Sequence, residues 1–183
     1  MSYIAAGAVV VAAVSLVNLV LTFGVIRRLR EHTELLSRRT QGPTPDELSS
    51  MLARGETPAE FATTAEDGGV VTNENIAQHS LVAFMSTECD ACHQQLPHFV
   101  SYAEEFAGGR DATVVVVVGT GEVADEMIAT LRPLARVVRE EHEGLMAKAF
   151  GVVGFPAYAV LEGGTVRASG YRVDQLPAAA HAV

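Results

Sequence analysis

The sequence predicts an α/β domain, a mixed central sheet with helices on both faces, preceded by one transmembrane helix. Three observations carry this. Apolar strand-like runs alternate with amphipathic helical patterns, and two last strand-like runs close on each other across Glu162-Gly163-Gly164, so a parallel sheet gains an antiparallel edge. Thr113–Val118 holds five consecutive valines, a run suited to a central strand buried on both faces. Ile4–Ile26 is a stretch of 23 residues without a charge, rich in Val, Ala and Leu. At about 1.5 Å rise per residue such a helix crosses a hydrocarbon core of about 30 Å.

At 183 residues the chain has room for one ordinary domain plus appendages. Its charge is uneven: residues 1–45 carry five Arg and two Glu, whereas the remainder carries 8 basic and 20 acidic side chains. That acidic remainder argues against a nucleic-acid partner. Two cysteines are too few for a disulfide-stapled scaffold.

The apolar stretch reads as a retained membrane anchor, residues 1–26. A cleaved signal peptide has its positive charge before a shorter apolar core, and here the Arg residues follow it. Arg27, Arg28, Arg30, Arg38 and Arg39 then place the following chain in the cytoplasm by the positive-inside rule. Residues 27–54 read as a juxtamembrane helix and linker. Ile26, Leu29, Thr33 and Leu36 have helical spacing, Gly42-Pro43-Thr44-Pro45 interrupts, and Asp46–Ala53 has the pattern of a short amphipathic helix.

The globular domain is residues 55–183. Glu60–Thr64 and Val70–Thr72 flank the turn signal Glu66-Asp67-Gly68-Gly69, predicting a hairpin. A helical turn is expected over Asn73–His79, then a buried strand over Leu81–Met85. An amphipathic helix follows to Phe106, with Pro97 inside it and Gly108-Gly109 to stop it. Beyond the valine strand come a turn at Gly119-Thr120-Gly121, a helix over Val123–Leu131, a strand over Ala135–Arg139 and a helix over Gly144–Phe150. The hairpin Ala157–Leu161 with Thr165–Ser169 and a short helix from Asp174 complete the domain.

Chemistry concentrates at Cys89-Asp90-Ala91-Cys92, which holds both cysteines of the chain. A buried strand leads in and an amphipathic helix leads out, so Cys89 falls at the helix start. Free backbone N–H groups and the helix dipole there favour thiolate over thiol, and the thiolate is the nucleophile. Cys92, one turn on, can close a disulfide with it. Cys89 is thus the candidate nucleophile and Cys92 the resolving thiol. A zinc site needs more ligands than this spacing offers, so no metal site is expected. Cys92-His93 also completes C-x-x-C-H, the c-type haem attachment pattern, but a five-valine strand does not fit a helical haem fold.

The order strand, C-x-x-C, Pro97-bearing helix, strand, helix, strand, helix, then Phe150-Gly151-Val152-Val153-Gly154-Phe155-Pro156 and a hairpin resembles the thioredoxin superfamily. The helix and strand between Val118 and Gly144, and Pro58-Ala59-Glu60-Phe61, resemble the membrane-anchored thiol-disulfide oxidoreductases of the TlpA/ResA type. The anchor with its Arg-rich continuation is similar to the methylamine-utilisation accessory protein family MauD. The resemblance implies a thioredoxin-like fold and a cis Phe155–Pro156 bond facing the dithiol. It also implies an extended protein substrate paired beside Phe155 and Pro156.

Further implications are a redox-active dithiol with no other cofactor, an upstream thiol donor, and a domain outside the cytoplasmic membrane, opposite to the charge rule. The chain departs from the family pattern where Glu88 replaces a Trp, Ala91 a Pro, and Ala83 the buried Asp of thioredoxin. An acidic residue at position 90 occurs in the TlpA/ResA group. The charge of Asp90, and more weakly of Glu88, disfavours the Cys89 thiolate. That predicts a reductant, nearer roughly −270 mV than about −120 mV. Ser86, three residues before Cys89, also offers a peroxiredoxin-like peroxidase as an alternative, although Val82 stands where that family has proline.

Overall fold

The computed structural model describes residues 51–76 and 78–179. The transmembrane span, the arginine cluster and most of the 27–54 segment lie outside the described residues. Among the described residues no helix is long and apolar enough to cross a membrane.

The elements are β1 (Ala62–Thr64), β2 (Val70–Thr72), β3 (His79–Ser86), α1 (Asp90–Glu105), α2 (Gly109–Ala112), β4 (Thr113–Val118), α3 (Glu122–Leu131), β5 (Arg136–Glu140), α4 (Leu145–Ala149), β6 (Ala157–Glu162) and β7 (Thr165–Gly170). A single 3₁₀ turn, Val173–Gln175, stands where a helix from Asp174 was expected. The main sheet runs β5-β4-β3-β6-β7. β3, β4 and β5 are parallel, and β6 and β7 are antiparallel to their neighbours, so the sheet is mixed.

Strand periodicity of two divides the core. Leu81, Ala83, Met85, Val115, Val117, Tyr158 and Val160 face the side covered by α1 and α3. Val82, Phe84, Val114, Val116, Val118, Ala159 and Leu161 face the other side. Each valine of β4 is buried, as a strand covered on both faces requires. The second face is not covered by helix alone. Phe61, Val71 and Ile76 from the β1–β2 region share it with Met146 and Phe150 of the α4 region. Met51 is buried there too, and Leu52 donates to the Phe150 carbonyl at 2.9 Å.

Several boundaries differ from the sequence expectation. Residues 51–52 form a bend and residue 53 is irregular, so they are not the end of an amphipathic helix. β3 begins at His79, because backbone pairing with β6 extends to Glu162. Residues 73–76 form the turn that precedes it. Gly108-Gly109 does stop α1, but Gly109 also opens the one-turn helix α2, Gly108 supplying a left-handed φ of 90°. On α3, Ala124, Met127, Ile128 and Leu131 form the buried face, and Val123 is 48 % exposed. At about 100° per residue, Val123 falls off the stripe that Ala124 centres.

Candidate functional site

β3 carries six buried apolar or small residues straight to Ser86, and α1 starts four residues later. Three residues turn the chain between them. Thr87 stays on the sheet, its N–H donating to the Val118 carbonyl at 3.0 Å. Gly119 makes this possible: its φ is +141°, and a Cβ there would sit 2.1 Å from Thr87 Oγ1. By sequence Gly119 is only a turn residue; the close approach is a tertiary fact.

Cys89 is the N-cap of α1, with extended backbone (φ −105°, ψ 108°). Its Sγ accepts the Cys92 N–H at 3.3 Å, a donor it shares with its own carbonyl oxygen at 2.9 Å. The thiol donates to the Phe155 carbonyl at 3.4 Å. That contact brings the loop after α4 to the dithiol across 66 positions of sequence. The Phe155–Pro156 peptide bond is cis, Pro156 is buried and Phe155 half-buried.

Cys92 is fully buried on the α1 face shared with Phe99 and Ala103, and its Sγ accepts the Ser86 N–H at 3.4 Å. Burial, then the hydrogen bond from the neighbouring Cys89, push its thiol up to about 12. Both cysteines are free thiols. The two sulfurs are thus chemically unequal, one half-exposed at a helix start and one dry and held as the thiol.

Glu88 and Asp90 flank Cys89 and are exposed. Glu88 lies 3.7 Å from His142 Nε2 across the β5–α4 loop, a pair so solvated that it contributes about 0–1 kcal/mol. Ser86 Oγ accepts the Glu88 N–H at 3.3 Å, shaping the turn. His93 returns onto its own turn, Nε2 lying 3.0 Å from the Thr87 carbonyl oxygen. A groove of about 580 Å³ lies between α1 and residues 172–179, but none of Cys89, Cys92, Phe155 and Pro156 lines it. Among the described residues no group of three His, Cys, Asp or Glu side chains is placed to hold a metal ion.

One residue near the site went unnoticed in the sequence. Tyr158 of β6 is fully buried, stands directly opposite Ala83 of β3, and stacks on Phe99 of α1 with centroids 5.7 Å apart. Burial, and after it the charges of Cys92 and Cys89, push its phenol above the usual range. Its position two residues after Pro156 in an alternating strand was the available signal.

A dithiol at the strand–helix junction of a five-stranded mixed sheet, facing a cis-proline loop, defines a thioredoxin-like fold. Solved structures share it. A thio-disulfide isomerase from Thermus thermophilus is 22 % identical, the match covering 66 % of this chain and 87 % of that one with a TM-score of 0.53. The thioredoxin domain of a thiol-disulfide oxidoreductase from Bacteroides vulgatus is 19 % identical, over 68 % and 93 %, with a TM-score of 0.51. A thiol-disulfide oxidoreductase from Bacteroides fragilis is 15 % identical, over 66 % and 94 %, with a TM-score of 0.52. No protein-family model and no curated protein matches the chain.

Proposed function

We propose that the chain is a membrane-tethered thiol-disulfide oxidoreductase that reduces disulfides of protein substrates. One observation carries this reading: the inequality of the two sulfurs. A half-exposed Cys89 at a helix start sits three residues before a buried Cys92, both receiving backbone N–H donors. Cys89 thiolate attacks a substrate disulfide, forming a mixed disulfide and releasing one substrate thiolate. Cys92, losing its proton to solvent, attacks Cys89 Sγ. The Cys89–Cys92 disulfide forms and the second substrate thiolate leaves. An upstream dithiol then restores the enzyme by the reverse exchange, and no other cofactor enters.

Phe155 and Pro156 form the edge against which an extended substrate segment lies. The Phe155 carbonyl accepts from the resting Cys89 thiol at 3.4 Å, which places that sulfur at the edge before its proton leaves. Asp90 and Glu88 add negative charge around Cys89 and bias the couple towards the reductant. The N-terminal anchor keeps the site at a membrane, where exported proteins whose cysteines must be kept reduced are the fitting substrate class. A peroxidase or a haem carrier gains no comparable support, since the buried C-x-x-C partner suits intramolecular resolution.

Purified full-length protein is expected to accelerate dithiothreitol-driven reduction of insulin, and Cys89→Ser to abolish the acceleration. Insulin reduction no faster than with dithiothreitol alone would sink this reading. Labelling of Cys89 in intact cells by a membrane-impermeant thiol reagent decides which side of the membrane the domain faces.

A further inference from the structure

The dithiol mechanism leaves one buried polar group unused. Tyr158 is 0 % exposed, and among the described residues no protein group partners its hydroxyl. An unpaired buried hydroxyl is expensive, so native structures retain one where it has a role or a transient partner. Among the described residues two further buried nitrogens have no partner, His79 Nε2 and Arg136 Nε. His79 is stacked on Phe106, and Arg136 reaches Asn75 through Nη1, so both belong to the sheet rim.

Tyr158 stands elsewhere. Its strand lies beside β3, the strand that delivers Cys89, and its cross-strand neighbour is Ala83. A methyl group opposite a phenol leaves the phenol as the largest side chain on that patch of the face. The same core layer contains Cys92 and Phe99, with Cys89 and Leu96 packed at its margin. The ring is pinned by its near-parallel stack on Phe99, 17° between planes, and Phe99 lies two turns along α1 from Cys92 on the same buried side. The hydroxyl is therefore held in the dry layer that contains the resolving sulfur.

We propose that Tyr158 is the positioning residue of the resolving step: its hydroxyl, directly or through one buried water, donates a hydrogen bond to Cys92 Sγ when that sulfur becomes an anion. The proposal rests on the dithiol-exchange reading above. Cys92 must give up its proton inside apolar surroundings before it can attack Cys89 Sγ. The Ser86 N–H is one fixed donor to it; a second donor lowers the cost of the charge at the moment it forms. The phenol remains protonated throughout, so it gives no proton away. The proton of Cys92 goes to solvent, the Cys89–Cys92 bond forms, and the bond from Cys89 to the departing thiolate breaks. In the resting thiol state nothing demands the phenol's donation.

The test uses the reduced full-length protein and 5,5′-dithiobis(2-nitrobenzoate) in stopped flow. Attack by Cys89 releases the first thionitrobenzoate, and resolution by Cys92 releases the second. Tyr158→Phe keeps the ring and its stack. It is expected to leave the first phase within about twofold and to slow the second by about tenfold, as loss of a hydrogen bond to a charged group implies. The pH profile of the second phase moves to higher pH. An unchanged second phase, or equal slowing of both phases, overturns the proposal. A wild-type protein releasing only one thionitrobenzoate overturns the dithiol-exchange reading itself, so the two failures are distinct. If the Phe variant does not fold, the ¹³Cζ resonance of Tyr158 in the wild type decides. A shift that tracks the pH profile of the second phase supports the proposal, and a flat resonance refutes it.

Discussion

Burial of Cys92 has a thermodynamic consequence that can be measured without any substrate. Its thiol is pushed from an ordinary 9.0 up to about 12. A thiol whose folded value is raised contributes fully below its unfolded value, and that contribution is lost as pH climbs towards the folded one. In the window from pH 9 to 12 the unfolded chain has released this proton and the folded chain has kept it. Stability therefore falls with pH, approaching a slope of about 1.4 kcal/mol per unit. For one group the loss is about 1 kcal/mol at pH 10 and about 3 kcal/mol at pH 11. Other groups titrate in the same range, so the informative quantity is a difference. Urea unfolding of the reduced wild type, measured at pH 8, 10 and 11, is compared with reduced Cys92→Ala. The wild type is expected to lose those increments relative to the variant. The oxidised wild type, which carries no thiol, is expected to lose none of them. Parallel loss of stability by reduced wild type and variant would refute the argument that burial holds Cys92 protonated.

Three further outcomes follow from the same geometry. At pH 7 iodoacetamide alkylates Cys89 in the folded reduced protein and leaves Cys92 unmodified until urea is added, as peptide mass spectrometry of the cysteine peptides would report. Cys92→Ser accumulates a stable mixed disulfide with a protein substrate, visible on non-reducing gels, because the second attack is gone. Phe99→Ala removes the stacking partner of Tyr158 and opens a cavity against the sheet, costing about 3–5 kcal/mol in urea unfolding; a loss under about 1 kcal/mol would contradict the packing described.

Much of the domain was legible in local pattern. Five valines in a row could be satisfied only by cover on both faces, and β4 has it. An apolar run ending in a C-x-x-C and continuing with helical periodicity placed a sulfur at a helix start, and Cys89 is the N-cap of α1. Local pattern failed where pairing partners set the outcome. β3 gains His79 and Ser80 because β6 continues to Leu161 and Glu162 opposite them. The amphipathic Asp46–Ala53 pattern did not reveal that Met51 and Leu52 dock on the domain.

The sequence by itself determined the C-x-x-C pair at a helix start, the alternation of strands with helices, and the glycine and proline punctuation. Each of these is written in nearest neighbours or in a repeat of two or 3.6 residues. Only the tertiary structure decided what surrounds the sulfurs: the Phe155 carbonyl on Cys89, the dry layer around Cys92, and the phenol of Tyr158 opposite Ala83. Those contacts join residues 66 and 75 positions apart. Such separations leave no periodic trace along the chain, because they arise from sheet register and not from any local preference.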